Sequence, residues 1–342
     1  MSHKLTIMPS NHSVTVMEGE TILEAALREG HTLPYGCRNG ACGACKGKIL
    51  EGTVDYGDYQ DHALNEPEKL AGMALFCCAE PKTDVVIEVH EVTDTQDIPV
   101  KIMPCKVEKI ETPAEDVAVL YLKLPANERL QFLAGQYIDI LLKDGARRAY
   151  SLANAPHDDS FLQLHIRRVP GGSFSDLVFT QMHEKALLRF EGPLGTFFLR
   201  EDSDKPILLL ASGTGFAPVK AILEHAFHHG IKRPITFYWG AHNLSHLYML
   251  DLPKKWEQEH ANFKFVPVLS EPSPEDHWKG RTGFLHETVL EDYADLENYQ
   301  VYACGAPVMV EAAHQALTTQ RKLPNEEFYS DAFTFSKPKA KA

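Results

Sequence analysis

Apolar and polar residues alternate in "KLTIMP" and again in "SVTVME", the two-residue period of strands with one buried face, and the polar "SNHS" between them predicts a hairpin. The period changes at Thr21. "TILEAALREG" places apolar residues three and four apart, pairs Thr21 with Glu24 as a capping box and stops at Gly30, which predicts one short helix. Strand patterns return in "KGKILEGTVDYG" and "DVVIEVHEV", before the aperiodic "TDTQDIP", residues 93–99, reads as a linker. From about residue 101 short apolar runs follow one another: "VAVLYLKL", "GQYIDILL", "RRAYSLA" and "LQLHIRRV", with only "SFSDLVFTQMH" in helical period. So many short strands fit an antiparallel barrel. After "EDSDKP", residues 201–206, strands alternate with helices, the pattern of a parallel sheet with crossover helices. The chain thus divides into segments 1–95, 101–200 and 204–336, with a Lys-rich flexible tail at 337–342.

A length of 342 residues suits two or three domains with separate cores. The N-terminus lacks a basic stretch followed by an apolar one, and no apolar run is long enough for a bilayer, so the expectation is a cytoplasmic protein without membrane insertion. A net charge of −13 argues against nucleic acid as partner. Residues 1–95 carry 7 Lys and Arg against 15 Asp and Glu, so the first segment is an acidic module suited to a basic patch on another protein.

Three of the seven cysteines fall within "CRNGACGAC": Cys37, Cys42 and Cys45, spaced C-x4-C-x2-C, with Cys77 and Cys78 far downstream. This is the plant-type spacing for a [2Fe–2S] cluster, whose fourth thiolate lies remote in sequence, with Cys77 and Cys78 both available. Small residues between the ligands let the loop wrap closely and aim backbone N–H groups at sulfur. Zinc also takes four thiolates, but its structural sites use two C-x2-C knuckles and only one is present here. Cys105 reads as a small buried hydrophobe, and the seventeen histidines show no metal spacing.

Further motifs follow in order. "RRAYSLAN" contains R-x-Y-S at Arg148, Tyr150 and Ser151, and "VPGGSFS" contains G-x-x-S at Gly172 and Ser175. "ILLLASGTGFAPVKAI" sets Gly213, Thr214, Gly215 and Pro218 between a strand and a helix, a tight turn that admits a pyrophosphate to the helix N-terminus. "YACGAPVMV" and the terminal "FYSDAF" complete the series. Together these stretches resemble the ferredoxin reductase superfamily over essentially the whole chain. The resemblance implies a β-grasp 2Fe-2S ferredoxin domain, an antiparallel β-barrel FAD domain and a doubly wound α/β NAD-binding domain. It implies Cys37, Cys42, Cys45 and Cys77 as cluster ligands, the last from "LFCCAEP". Arg148 would pair with the flavin phosphate, Tyr150 stack on the ring, Ser151 bond near N5, and Gly172 and Ser175 receive the pyrophosphate. Gly213, Thr214, Gly215 and Pro218 would hold the nicotinamide dinucleotide, Cys304 would lie beside the nicotinamide with Gly305 shaping its turn, and Phe333 would reach the flavin.

In "VPVLSEPSPED", Ser270 is followed by Glu271, a carboxylate that repels a 2′-phosphate and accepts from a ribose hydroxyl, which favours NADH over NADPH. The implied activity is electron transfer from NADH through FAD and the cluster to an electron-accepting partner protein. That partner is an iron–sulfur sugar dehydrase of 3,6-dideoxy sugar synthesis or, alternatively, an oxygenase component such as that of phenol hydroxylase. A redox-sensing or assembly protein that uses the cluster for binding is the alternative from another class.

Overall fold

The computed structural model describes residues 2–334; the 337–342 tail expected to be flexible lies outside the described residues. The described residues form two compact units, one of 2–99 with 331–334, the other Val100–Ser330.

In the first unit β1 (His3–Met8) and β2 (His12–Val16) form the expected hairpin, and α1 (Ile22–Arg28) follows. Thr21 caps α1 with both halves of the capping box in place, its side chain accepting from the Glu24 N–H while Glu24 reaches back. Then come β3 (Lys46–Glu51), β4 (Val54–Asp55), α2 (Glu66–Leu70), β5 (Met73–Leu75), β6 (Glu80–Pro81) and β7 (Val85–Glu88). The main sheet has the order β2-β1-β7-β3-β5, with β1 and β7 parallel at its centre. Leu5, Ile7, Ile22, Leu33, Phe76 and Ile87 are fully buried beneath it. This is the mixed sheet with a crossing helix of a β-grasp domain.

The second unit opens with six antiparallel strands: β8 (Lys101–Ala114), β9 (Val117–Lys123), β10 (Tyr137–Leu141), β11 (Arg147–Ser151), β12 (Leu162–Arg167) and, after α3 (Ser173–Thr180), β13 (Leu187–Leu194). Their order is β11-β10-β13-β8-β9-β12, and the two ends meet through an antiparallel bridge between Leu152 and Leu164 and the Ala153 N–H donated to Gln163 O at 2.8 Å. Closure leaves no free edge. The interior is filled by residues such as Val107, Leu120, Leu122, Ile138, Ile140, Leu164, Ile166 and Phe190.

The remainder is the alternating segment: β14 (Ile207–Ser212), α4 (Phe216–His228), β15 (Ile235–Ala241), α5 (Asp251–Glu259), β16 (Phe263–Leu269), β17 (Arg281–Thr282), α6 (Leu285–Asp292), β18 (Gln300–Gly305), α7 (Pro307–Gln320) and β19 (Phe328–Ala332). The sheet order β17-β16-β15-β14-β18-β19 reverses direction at β14, between β15 and β18. In open α/β sheets that reversal is the ligand crevice, at the carboxyl ends of the strands.

Two buried polar groups tie barrel to α/β layer. Lys220 of α4 donates to Ala153 O and Gln163 Oε1, each at 3.0 Å, and to Glu224. His165 of β12 shares a 2.8 Å hydrogen bond with the Tyr248 hydroxyl. Burial, helped by the Lys220 charge, holds the His165 imidazole down to about 3. Its unfolded value is about 6.5, so the stability gained by keeping it neutral is complete above that pH and is lost as pH falls towards 3. Between pH 6.5 and 5 this amounts to about 2 kcal/mol. Chemical denaturation at pH 7 and pH 5 should show His165→Phe losing less stability than the parent by about that amount; equal losses would refute it.

Candidate functional site

The cysteine loop between α1 and β3 is irregular and is held by its glycines. Gly40 has φ +73°, and a Cβ there would sit 2.6 Å from Asp58 O, 2.8 Å from Cys78 Sγ and 2.9 Å from Tyr59 Cα. No side chain fits, and the positive φ removes the alternative of turning away. The Gln60 N–H donates to Gly40 O, and His62 Nε2 lies 2.8 Å from Ala41 O, which clamps the loop to the chain beyond β4.

The thiols fall into two pairs. Cys37 bonds with Cys42, its own N–H donating to Cys42 Sγ at 3.3 Å, and Cys45 bonds with Cys77. Within each pair one thiol hydrogen-bonds to its neighbour's thiolate. The bond from Cys42 draws Cys37 down to about 7, and bonds from Cys45 and Cys78 draw Cys77 down to about 3. The donors Cys42, Cys45 and Cys78 are pushed up accordingly.

A tetrahedral ion with bonds of about 2.3 Å would gather its sulfurs within about 4 Å of one another. Among the described residues no three of these sulfurs come within 4.8 Å of each other. Two pairs, each with sulfur to offer one iron, suit a two-iron cluster held by four thiolates. Cys77 joins both Cys45 and Cys78, the latter at 3.6 Å, and it is through Cys77 that Cys78 meets the pair. Cys105, buried in the barrel, is pushed up to about 12 by burial alone.

On the barrel, Arg148 and Tyr150 share one face of β11, two residues apart, and Ser151 is buried on the other. Arg148 Nη2 donates to Ser173 Oγ at 3.1 Å, so a guanidinium meets the first turn of α3. A cation beside free helix N–H groups is a site for a phosphate. Tyr150 is half-buried, packs against Phe174 with centroids 5.4 Å apart, and its phenol is pushed up to about 12 by burial. Ser175 plays a different part. Its hydroxyl accepts from the Val169 N–H at 3.1 Å and donates to Val169 O at 3.2 Å, and a Cβ on Gly172 would lie 2.5 Å from it. The G-x-x-S residues therefore fold the loop that aims α3.

At the sheet crevice, Gly213–Gly215 form a single turn of 3-10 helix between β14 and α4, with Thr214 buried and Pro218 in the first turn of α4. Trp239 Nε1 donates to Gly213 O at 3.1 Å. Cys304, fully buried, precedes Gly305 at the end of β18, where φ is +125°, and the Ala306 N–H donates to Ser212 Oγ at 2.9 Å. The two glycine turns thus lie against each other. Glu271 follows β16: its N–H donates to His242 O, and its exposed carboxylate stands 3.8 Å from His242 Nδ1. Phe333 is half-buried and directly follows β19.

Three residues are added by the fold. Arg167 of β12, paired with Asp116 at 2.8 Å, brings Nη1 to 2.8 Å from the position of a Cβ on Gly213 and sets a positive charge over that glycine turn. His242 joins Glu271 at the crevice rim, and Lys220 fixes the start of α4. Arg167 carries a sequence signal only as the last alternating position of "LQLHIRRV".

Family models match all three segments: a 2Fe-2S iron-sulfur cluster binding domain at residues 5–82, an oxidoreductase FAD-binding domain at 104–199 and an oxidoreductase NAD-binding domain at 209–315. The chain is 40% identical over 337 residues, 98% of its length and 100% of the relative's, to a CDP-6-deoxy-L-threo-D-glycero-4-hexulose-3-dehydrase reductase of Yersinia pseudotuberculosis. It is 32% identical, over 97% of its length and 95% of the relative's, to the phenol hydroxylase P5 protein of Acinetobacter pittii. The crystal structure of the Amycolatopsis cytochrome P450 reductase GcoB superposes with a TM-score of 0.77 at 34% identity, covering 97% of this chain and 98% of that one.

Proposed function

Because the chain belongs to the ferredoxin reductase superfamily, with 2Fe-2S, FAD-binding and NAD-binding domains in one polypeptide, we propose that it delivers electrons from NADH to an iron–sulfur CDP-6-deoxyhexulose 3-dehydrase. The observation that carries the choice of partner is identity. It is 40–41% over 98% of the chain to dehydrase reductases and the protein RfbI of Salmonella typhimurium, and 32–33% to oxygenase reductase components. An oxygenase component is the second reading on those same numbers.

The bound groups supply the redox chemistry: a hydride donor, a flavin that takes two electrons and gives them singly, and a cluster that carries one at a time. The protein's part is binding and orientation. Cys37, Cys42, Cys45 and Cys77 hold the cluster, with Gly40 keeping the loop tight. Arg148 and the first turn of α3 take the flavin phosphate, Tyr150 lines its ring, and the buried Ser151 presents a hydroxyl from the same strand. Gly213, Thr214, Gly215 and Pro218 form the pyrophosphate turn beneath Arg167, while Cys304 and Gly305 close the far side. No residue is required to move a proton. Among the described residues no helix is long and apolar enough to cross a membrane.

Anaerobic titration of the holoprotein with NADH should bleach the flavin band and then give a rhombic EPR signal from the cluster. Adding the purified dehydrase should restore turnover, and a phenol hydroxylase oxygenase component should not. Turnover with the oxygenase alone would transfer the assignment to the second reading, and a colourless zinc protein would end both. Cofactor choice has its own test. On this reading the exposed Glu271 carboxylate would meet a 2′-phosphate and repel it, so Glu271→Arg should move the NADPH-to-NADH ratio of kcat/KM upward by about tenfold, the low end for one hydrogen bond to a charged group; an unmoved ratio removes Glu271 from the ribose site.

A further inference from the structure

Apart from the three cofactor regions, the first unit gathers a second set of metal-ligating side chains. His12 opens β2, His31 follows α1, and Glu91 lies just past β7. His12 Nδ1 stands 2.8 Å from Glu91 Oε2, and His31 Nδ1 stands 2.8 Å from Oε1. Two imidazoles thus address the two oxygens of one carboxylate, with ring centroids 4.4 Å apart. One ligand atom from each residue can be chosen so that all three lie within 4.8 Å of one another. The Glu91 side chain is only 7% exposed, while His12 is half open to solvent at 50%.

The main chain fixes all three. Asn11, at φ 60°, closes the hairpin so that His12 pairs with Ile7. The Val89 N–H donates to Met8 O, which brings the end of β7 to that turn, and the Val92 N–H donates to Thr32 O, which sets Glu91 beside His31. Ligands on three elements, each anchored by backbone bonds next to it, form a site organised before anything binds.

We propose that His12, His31 and Glu91 bind a divalent transition cation, Zn²⁺ by preference, at a site separate from the cysteine loop. Two imidazole nitrogens and one carboxylate oxygen are a donor set that zinc takes with water in the fourth position, and the half-exposed His12 side leaves that position open. Ligand atoms around such an ion stand about 3.3 Å apart, so the 2.8 Å contacts open slightly and the widest separation, no more than 4.8 Å, closes as the ion is shared. Each neutral imidazole then carries its proton on Nε2 and offers the Nδ1 lone pair. The excess of 15 acidic over 7 basic residues in 1–95 favours a cation here. A bound ion would pin the hairpin to the end of β7. The same geometry without an ion is a carboxylate bonded to two histidines, and the test separates the two.

Holoprotein is dialysed against Zn²⁺ alone and titrated calorimetrically, with zinc, iron and the visible spectrum of flavin and cluster followed together. The expected result is one zinc per chain with iron and absorbance unchanged. Affinity should fall by at least about 100-fold in His12→Ala and in His31→Ala, as loss of a direct ligand exceeds the 10–100-fold cost of an outer one. His12 is half-exposed, so its removal leaves the fold intact and that variant alone suffices. Absence of binding, binding of equal strength in His12→Ala, or zinc uptake matched by loss of iron would each overturn the proposal.

Discussion

Cys42→Ala should abolish electron delivery to any protein acceptor, by at least about 10³-fold, while NADH-driven reduction of ferricyanide through the flavin stays within about twofold of the parent. The sulfur removed bonds with Cys37 and belongs to one of the two thiol pairs. Alanine offers no donor, and the spare thiol cannot replace it, because Cys78 bonds through Cys77 in the other pair. Nor can the loop contract to recruit another group: Gly40 is packed against Asp58 O and Tyr59 Cα, with Ala41 held by His62. The FAD-binding and NAD-binding domains, matched at residues 104–199 and 209–315, lie in the other unit, Val100–Ser330. Iron analysis, EPR after dithionite, and the two acceptor assays decide the matter. Retained cluster signal would mean that Cys42 is no ligand, and parallel loss of ferricyanide activity would mean that the flavin depends on the cluster module.

What could be read from the sequence follows from where the physics is local. The β1–β2 hairpin and α1 are legible because alternation and a capping box are written within a few residues, and the structure forms both as expected. The barrel and the parallel sheet were equally legible, since each strand carries its own apolar run. By contrast α2, only five residues long with none buried, has no periodic face to betray it, although Asn65 and Glu68 form a full capping box. β19 lies in the terminal "FYSDAF", too short and too mixed in polarity to show a strand's alternation by itself. Metal-binding spacing is visible for Cys37, Cys42 and Cys45 because the loop is continuous. His12, His31 and Glu91 are 60 and 79 residues apart in their hydrogen-bonded pairs and meet only through strand pairing. Ser175 shows the converse: its place in a G-x-x-S motif is plain in the sequence, whereas the bonds of its hydroxyl to Val169, which shape the turn from within, appear only in the fold.

The second large effect is expected at Gly215→Ala, which should lower the rate of flavin reduction by NADH by at least about 100-fold, the usual consequence of displacing a reacting group by about 1 Å. A Cβ at Gly215 would overlap the Cys304 carbonyl oxygen and lie 2.6 Å from its carbon and 2.9 Å from the Gly305 nitrogen. All three atoms are backbone. They sit at the end of β18, whose pairing with β14 fixes Cys304 opposite Ala211, so no rotamer change relieves the clash. The two glycine turns must separate, and their closeness is what sets the dinucleotide turn against the strand end carrying Cys304. Flavin and cluster contents should be normal, because Arg148, Tyr150, Ser173 and the four cysteines are untouched. Gly230→Ala is the control: Gly230 has φ +66° but no atom within 4 Å of its Cβ position. That change costs about 1 kcal/mol of backbone strain and leaves hydride transfer unaltered. Stopped-flow reduction of both variants by NADH, with circular dichroism as the folding check, separates a local clash from general destabilisation. An unchanged rate in Gly215→Ala would show that the two turns are free to part without disturbing the dinucleotide.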